Sequence, residues 1–501
     1  MSYKTRMNVE GESSGGIVPT KRQNEDQGGS QEAVEGRPPA KKNVEESNSC
    51  RPQRRASESS RLDRVREAAK KDRKKRFTAL LHHVTTELLE SSYDSLKKGA
   101  AAGVDGVTWE EYGEDLEGRI TNLHGRIHSG AYRAQPSRRV WIPKPDGRQR
   151  PLGIAALEDK IAQHAVGRVL NQIWEEDFAG FSYGFRTGRD QHQALDALYA
   201  GITRKKVNWI IDLDIRSFFD KVEHEWMIKF VERRVGDKRI VRLIRKWLKA
   251  GVMEDGKWRE TEEGTPQGSV ISPTLANLYL HYVLDVWANA WRKTVRGDVI
   301  IVRYADDAVL GFQYQEEAER FLKQLRERLG EFGLELNPDK TRLIEFGRYA
   351  AERREKRGEG KPETFNFLGF THICGTSRLG RFDVTRKTIG KRMVAKLKDI
   401  RQKLRARLME SIDVTEKWLQ SVLRGYYQYH AVPGNEQRMK SFRKDVLRAW
   451  LWTLRRRSQR AIWTWERFLK KLAVLFPQPE VLHPYPEVRF DERIQGGNRV
   501  R

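Results

Sequence analysis

The chain has 501 residues, more than one hydrophobic core ordinarily serves, and its 95 Lys+Arg against 69 Asp+Glu leave a net charge of +26. That excess favours a polyanionic partner such as nucleic acid over an acidic small molecule. Two cysteines exclude a disulfide framework or a cysteine-rich zinc module and suit a reducing cytoplasm, while the lack of a long apolar run or a signal-type start argues against secretion and membrane insertion.

Residues 1–60 are rich in Gly, Ser, Glu, Gln and Pro, with almost no aromatics, and read as a disordered polar tail. With 10 basic and 9 acidic residues, this stretch leaves nearly all the excess charge on the part that folds. From Arg61 the pattern turns helical: the cluster Lys70–Arg76 precedes Leu80, Leu81, Val84, Leu88 and Leu89 at helical spacing. That cluster suits a solvated face and a phosphate contact equally well. Between Gly103 and Gly375, β-prone runs at 209–211, 299–302 and 308–310 alternate with helical stretches around 155–172, 224–250, 270–292 and 315–330, predicting an α+β catalytic body over 61–375. Arg353–Gly360 reads as an exposed charged loop within it. Past about residue 381 the strand signals stop, and residues 381–470 hold 24 basic and 8 acidic residues, net +16. This predicts a separate basic helical domain over 376–480, followed by a C-terminal tail over 481–501.

Two adjacent acids, Asp306 and Asp307, stand between the apolar runs Val299–Val302 and Ala308–Leu310, where a hairpin would present both at its tip. Like charges so close repel unless cations neutralise them, and hard carboxylate oxygens suit a divalent ion such as Mg²⁺. An Asp-Asp pair alone is an ordinary turn. A second strand-borne acidic segment, Trp209–Asp214, turns it into a candidate two-metal site. Strand alternation puts Asp212 and Asp214 on one face, so parity leaves the choice between them open.

Tyr304–Asp307 together with Asp214–Asp220 resembles the catalytic core of reverse transcriptases. Five further blocks, Ile142–Ile154, Ser182–Arg186, Gly264–Ser269, Leu336–Thr341 and Phe367–Phe370, follow the chain order of the fingers and palm of group II intron-encoded reverse transcriptases. Gly103–Val107 resembles the extra N-terminal block of that family. The resemblance covers roughly residues 80–475. It implies a right-hand polymerase fold, fingers and palm with an antiparallel sheet followed by an α-helical thumb or maturase domain. It selects Asp214, Asp306 and Asp307 as catalytic, and Asp214, Ile215 through its main chain, Asp306 and Asp307 as ligands of two Mg²⁺ ions. Substrate roles carry over to Lys144 and Arg150 as triphosphate clamps, to Gln267 at the incoming nucleotide, and to Lys340 as a general acid near the leaving pyrophosphate. Phe219 would sit under the sugar, where its ring collides with a ribose 2′-hydroxyl. The plain alternatives are core packing for Phe218 and Phe219 and a surface role for Lys340.

The helical domain resembles the thumb or maturase region of the same family. Its run Trp418–His430 mixes aromatics with cations, which suits stacking on unpaired bases, whereas Trp450, Trp452, Trp463 and Trp465 read as helix-packing residues. No Cys pairs or His-Asn-His cluster follow residue 475, so the endonuclease module of part of the family, and second-strand cleavage, are not expected. The implied partners are group II intron RNA, a DNA primer or target and dNTPs, with no membrane; a homodimer is left open, and the compartment is the nucleoid-associated cytoplasm. Competing readings are a splicing-only maturase with a vestigial polymerase and a related reverse transcriptase in a host or defence role. Intact Asp214, Asp306 and Asp307 weigh against the first.

Overall fold

A computed structural model of the protein describes residues 51–143, 149–254, 256–260, 263–265, 268–377, 379–457 and 463–495. Residues 1–50 of the tail expected over 1–60, and the expected substrate residues Lys144 and Gln267, lie outside the described residues.

Helix α1 (Arg51–Lys71) starts inside the stretch read as tail, and α2 (Thr86–Asp94), α3 (Trp109–Gly113) and α4 (Leu116–Ser129) follow. Their starts are written locally: Thr85 accepts from the Leu88 N–H, Thr108 and Glu111 form a capping box, and Asp115 caps α4. The Lys70–Arg76 cluster lies exposed at the end of α1. Next come the hairpin strands β1 (Ser137–Pro143) and β2 (Gln149–Ile154), then helices α5 (Leu157–Asp177) and α6 (Gln191–Arg204) and strand β3 (Trp209–Leu213). Helices α7 (His224–Glu232) and α8 (Lys238–Leu248) lead to the short strands β4 (Val252–Glu254) and β5 (Lys257–Arg259). The fingers sheet runs β2-β1-β4-β5, with β1 and β4 parallel.

Helices α9 (Ser272–Leu280) and α10 (Val286–Trp291) are joined by a π turn, His281–Asp285. Strands β6 (Val299–Tyr304) and β7 (Asp307–Phe312) then form a hairpin, and α11 (Gln315–Gly330) and β8 (Arg342–Glu345) complete the palm. Its sheet has the order β6-β7-β3-β8 and every pairing is antiparallel. Its strands are mostly apolar because both faces are covered. Ile211, Leu213, Ile301, Leu310 and Phe312 join the large core beneath α5, α9 and α11, while Ile210, Ile300, Val302, Val309 and Ile344 face a second core with α6.

Residues 353–360, expected as a loop, are helical over much of their length in α12 (Ala350–Lys356). A three-stranded sheet follows, β9 (Phe365–Phe367), β10 (Phe370–Thr376) and β11 (Phe382–Thr388). Strand β11 corrects the expectation that strands stop near 381. Its sequence FDVTRKT lacks an apolar run, and the strand is held by pairing with β10 and by buried Val384 and Arg386. Helices α13 (Gly390–Ala406), α14 (Ile412–His430) and α15 (Glu436–Arg457) then build a third core from Leu397, Leu404, Leu423, Phe442, Val446 and Trp450. After α16 (Trp465–Lys471), helix α17 (Pro486–Gln495) packs on α6 rather than trailing as a tail: Arg489 meets buried Asp196 at 2.6 Å and Arg204 meets Asp491 at 2.7 Å.

Candidate active site

Antiparallel register places the acids. Leu213 at the end of β3 stands opposite Ala308, so Asp214 emerges beside the turn that joins β6 to β7. That turn is a two-residue loop, Ala305-Asp306, closed by the pair Tyr304 and Asp307. Ala305 adopts φ 56°, a left-handed conformation costly for a residue with a Cβ.

A buried network holds this strained turn. Arg303 is wholly buried and donates to both Asp285 oxygens, to the Asn277 carbonyl at 3.1 Å and to the Ala305 main-chain carbonyl at 2.8 Å. Asn277 in turn donates to the Gly184 carbonyl at 2.6 Å. Gly184 itself presses against the loop, since a Cβ there would meet the Ala305 nitrogen at 2.3 Å. The π turn shifts helical register where Asp285 meets Arg303. Sequence reasoning missed Arg303, Asp285 and Asn277. Their signal was an arginine inside the otherwise apolar run Ile300–Tyr304, because a buried guanidinium demands a buried partner.

Asp212 and Asp214 prove inequivalent. Asp212 lies within β3 and pairs with Arg342 at 3.2 Å. Asp214, past the strand end, receives Lys340 Nζ at 3.0 and 3.1 Å and Asn337 Nδ2 at 3.0 Å, while its main-chain carbonyl accepts from the Asn337 N–H at 2.8 Å. The block Leu336–Thr341 is thereby folded onto the acid, and Ile215 bridges to Leu336. Asp307 keeps access to solvent, yet protein crowding its carboxyl, followed by the charges of Asp306, Asp214 and Asp212, pushes its pKa up to about 7 against the opposing charge of Arg392. Asp212, Asp214, Asp306 and Asp307 form a hard-oxygen, anionic cleft, and this donor chemistry fits a divalent cation. Among the described residues no three such side chains are already gathered around one point, and Asp214 is turned onto the Lys340 ammonium.

Phe218 and Phe219 follow on a 3₁₀ turn and both are buried; the Phe218 ring meets Phe219 and Tyr279 edge-on. Gly264 and Thr265 lie on this turn: the Thr265 N–H donates to the Phe219 carbonyl at 2.8 Å, and Gly264, with φ 86°, leaves no room for a Cβ over Phe219 O. Gly268 reaches the fingers, where an added Cβ would meet the Gly153 carbonyl at 2.8 Å. Arg150 stands on β2 opposite Ile142. Phe185, Ser217 and Leu368 also adopt left-handed φ, so with Ala305 every such non-glycine residue among those described lies in one of the sequence blocks.

The expectation that Trp418–His430 offers free stacking rings is corrected for its later members. Tyr426 stacks on Phe442 at 3.7 Å, and the Tyr427 and Tyr429 hydroxyls donate to the carbonyls of Pro477 and Leu368. Helical spacing turns these rings onto α15 and the small sheet. Of the tryptophans read as packing residues, Trp450 is buried, whereas Trp452 is 47% exposed and flanked by Arg405 and Arg456.

The family model described as reverse transcriptase (RNA-dependent DNA polymerase) matches residues 142–372. Protein YkfC of Escherichia coli K12 is 37% identical over 303 residues, which make up 52% of this chain and 79% of YkfC. This chain belongs to the reverse transcriptases. The reverse transcriptase is also 32% identical over 222 residues to the group II intron-encoded protein LtrA of Lactococcus lactis subsp. cremoris, covering 37% of LtrA. Over 162 residues it is 39% identical to the 91 kDa protein in the cob intron of Schizosaccharomyces pombe, covering 20% of that protein. The chain thus spans little more than a third of LtrA's length and less of the cob intron protein. A solved telomerase from Candida albicans, in complex with a fragment of telomeric RNA, superposes over 72% of this chain and 61% of its own with a TM-score of 0.44 and 13% identity. No helix among the described residues is long and apolar enough to cross a membrane.

Proposed function

We propose that this reverse transcriptase copies intron RNA into DNA by Mg²⁺-dependent nucleotidyl transfer at Asp214, Asp306 and Asp307, and that its basic helical domain binds the intron RNA to assist splicing and mobility. The observation that carries the catalytic half is the convergence of β3 and the β6–β7 turn on one carboxylate cluster, where burial and then the neighbouring acids lift Asp307 to about 7.

Asp214, Asp306 and Asp307, with the Ile215 main chain, would hold two Mg²⁺ ions. When bound, such ions polarise the phosphoryl oxygens and stabilise the charge that builds on attacking and leaving oxygens. The chain's own groups do the rest. Arg303 and Gly184 fix the main chain of the turn that carries Asp306, so only side chains need move to gather the carboxylates. Lys340, paired with Asp214 at 3.0 Å, would exchange that carboxylate for the departing pyrophosphate and give it a proton. Phe219, whose carbonyl accepts from the Thr265 N–H, would exclude the ribose 2′-hydroxyl. Arg150, on the strand next to the Gly153–Gly268 contact, would steady the triphosphate, in company with Lys144 and Gln267.

The test is extension of a DNA primer annealed to an RNA template with Mg²⁺. Asp306→Asn removes one ligand charge and should lower the rate about 10³-fold or more, equivalent to several kcal/mol of transition-state stabilisation. Undiminished extension would remove the site from this account.

A further inference from the structure

We infer that the rear of the palm holds a second nucleotide-binding site, a basic, tyrosine-walled cavity that takes a nucleoside phosphate. The cavity encloses about 760 Å³, within the range of small-ligand clefts. It opens at Trp209, where β3 begins, and thus at the opposite end of that strand from Asp214. At about 3.3 Å per residue the two ends stand roughly 16 Å apart, so this cavity is separate from the carboxylate site.

Its lining is cationic. Arg204, Lys205, Lys206, Arg348, Arg353 and Arg357 face one carboxylate, Glu345. Arg204 is paired with Asp491 at 2.7 Å, Lys205 with Asp298 at 3.1 Å, and Arg357 is fastened to Glu345 and Glu359. Arg348 instead donates to the Thr203 carbonyl at 3.1 Å, and Arg353 reaches Glu345 at a distance of 4.0 Å, so both keep charge to offer an anion.

Tyr314 and Tyr349 line the same cavity with rings 37% and 48% exposed, and guanidinium groups of Arg296 and Arg353 lie 4.6 and 5.9 Å from their centroids. Open aromatic rings interleaved with cations suit stacking on an unpaired base while its phosphate is held. Glu345 is 4% exposed and its Oε1 makes no hydrogen bond, an acceptor that a base amino group or a sugar hydroxyl would satisfy.

The wall is preformed. A Cβ at Gly347 would meet the Val207 carbonyl at 2.1 Å, the Phe346 N–H donates to Asn208 O at 2.9 Å, and the Asn208 N–H donates to Phe312 O at 2.8 Å. These contacts pin the start of α12, with Arg348 and Arg353 around it, to the edge of the palm sheet. The ligand is either a free nucleotide or a nucleotide within an unpaired strand.

The full chain is irradiated with 8-azido-ATP or with a short RNA carrying 4-thiouridine, and labelled peptides are mapped by mass spectrometry. Both wild type and an Arg348→Glu/Arg353→Glu variant are tested, beside primer extension on a preannealed template. Labelling is expected on residues 204–209 or 345–357 and should fall about tenfold or more in the charge-reversed variant, with extension unchanged. Tyr349→Ala, which alters no charge, should also reduce it, and keeps the test valid if the double variant folds poorly. Label displaced by excess ATP but not by RNA identifies a free nucleotide; label displaced by RNA identifies a strand. Absence of label on both segments, or label indifferent to both changes, overturns the site.

Discussion

At the residue scale, the chemistry rests on a carboxylate cluster in which the fold has raised the proton affinity of Asp307. Asp307, pushed up to about 7 by crowding and then by its acidic neighbours, holds its proton more tightly folded than unfolded. Such a group costs the fold nothing below the ordinary carboxylate range, and an increasing amount as pH rises toward about 7, where the charged form must be accommodated. Metal-free Asp307→Asn protein should therefore melt higher than wild type above pH 7, with the difference vanishing under acid conditions, while losing polymerase activity. Equal melting at all pH values would remove the charge cluster from the account. Phe219 gives a second residue-scale prediction. Phe219→Ala should admit ribonucleotides, improving rNTP incorporation relative to dNTP by on the order of 10²-fold. Phe218, edge-on to Tyr279 and 2% exposed, should cost stability instead. Single-nucleotide incorporation separates the two, and relaxed discrimination in Phe218→Ala alone would shift the register by one residue.

At the scale of elements, the catalytic hairpin depends on the helices that carry Asn277 and Asp285. Asp285, on the π turn, neutralises Arg303 inside the protein. Asp285→Asn leaves that guanidinium buried and uncompensated, which typically costs about 3–5 kcal/mol. Replacing both partners by apolar residues of similar volume should cost less stability yet still slow extension, because the Ala305 carbonyl and Asn277 lose their common donor. Thermal melts beside extension rates decide this; a double replacement with wild-type rate would make the network a matter of stability alone.

For the whole molecule, the net +16 on 381–470 predicts binding of structured RNA by the helical domain. The fold refines which cations to test. Arg392 bears on Asp307, and Arg407 is held by Glu410 and lies against Trp418. Lys391, Lys398, Arg401 and Arg405 are exposed on α13 and form the better set. Replacing all four with Gln should weaken intron-RNA binding and flatten its dependence on salt, since fewer counterions are released, while extension of a preannealed primer-template persists. Unchanged affinity and salt slope across a titration would assign this face to solubility.

The sequence by itself determined the palm and the family. Strands that are apolar on both faces around Trp209–Leu213, Val299–Tyr304 and Asp307–Phe312 can be buried in one way, and acids at their ends must then meet. Local rules also placed the helix starts at Thr85, Thr108 and Asp115. What only the tertiary structure decided involves partners distant along the chain. Strand β11 exists because β10 pairs with it, and α17 is held against α6 through Arg489 and Asp196. Asp212 and Asp214, equivalent by parity, were separated by where β3 ends and by Arg342 and Lys340, more than a hundred residues downstream. Composition suggested that Tyr426, Tyr427 and Tyr429 were free to stack on bases, but α15 and the small sheet had already taken their surfaces. Periodicity specifies which face of an element is apolar; what covers that face is settled by the packing of the whole chain.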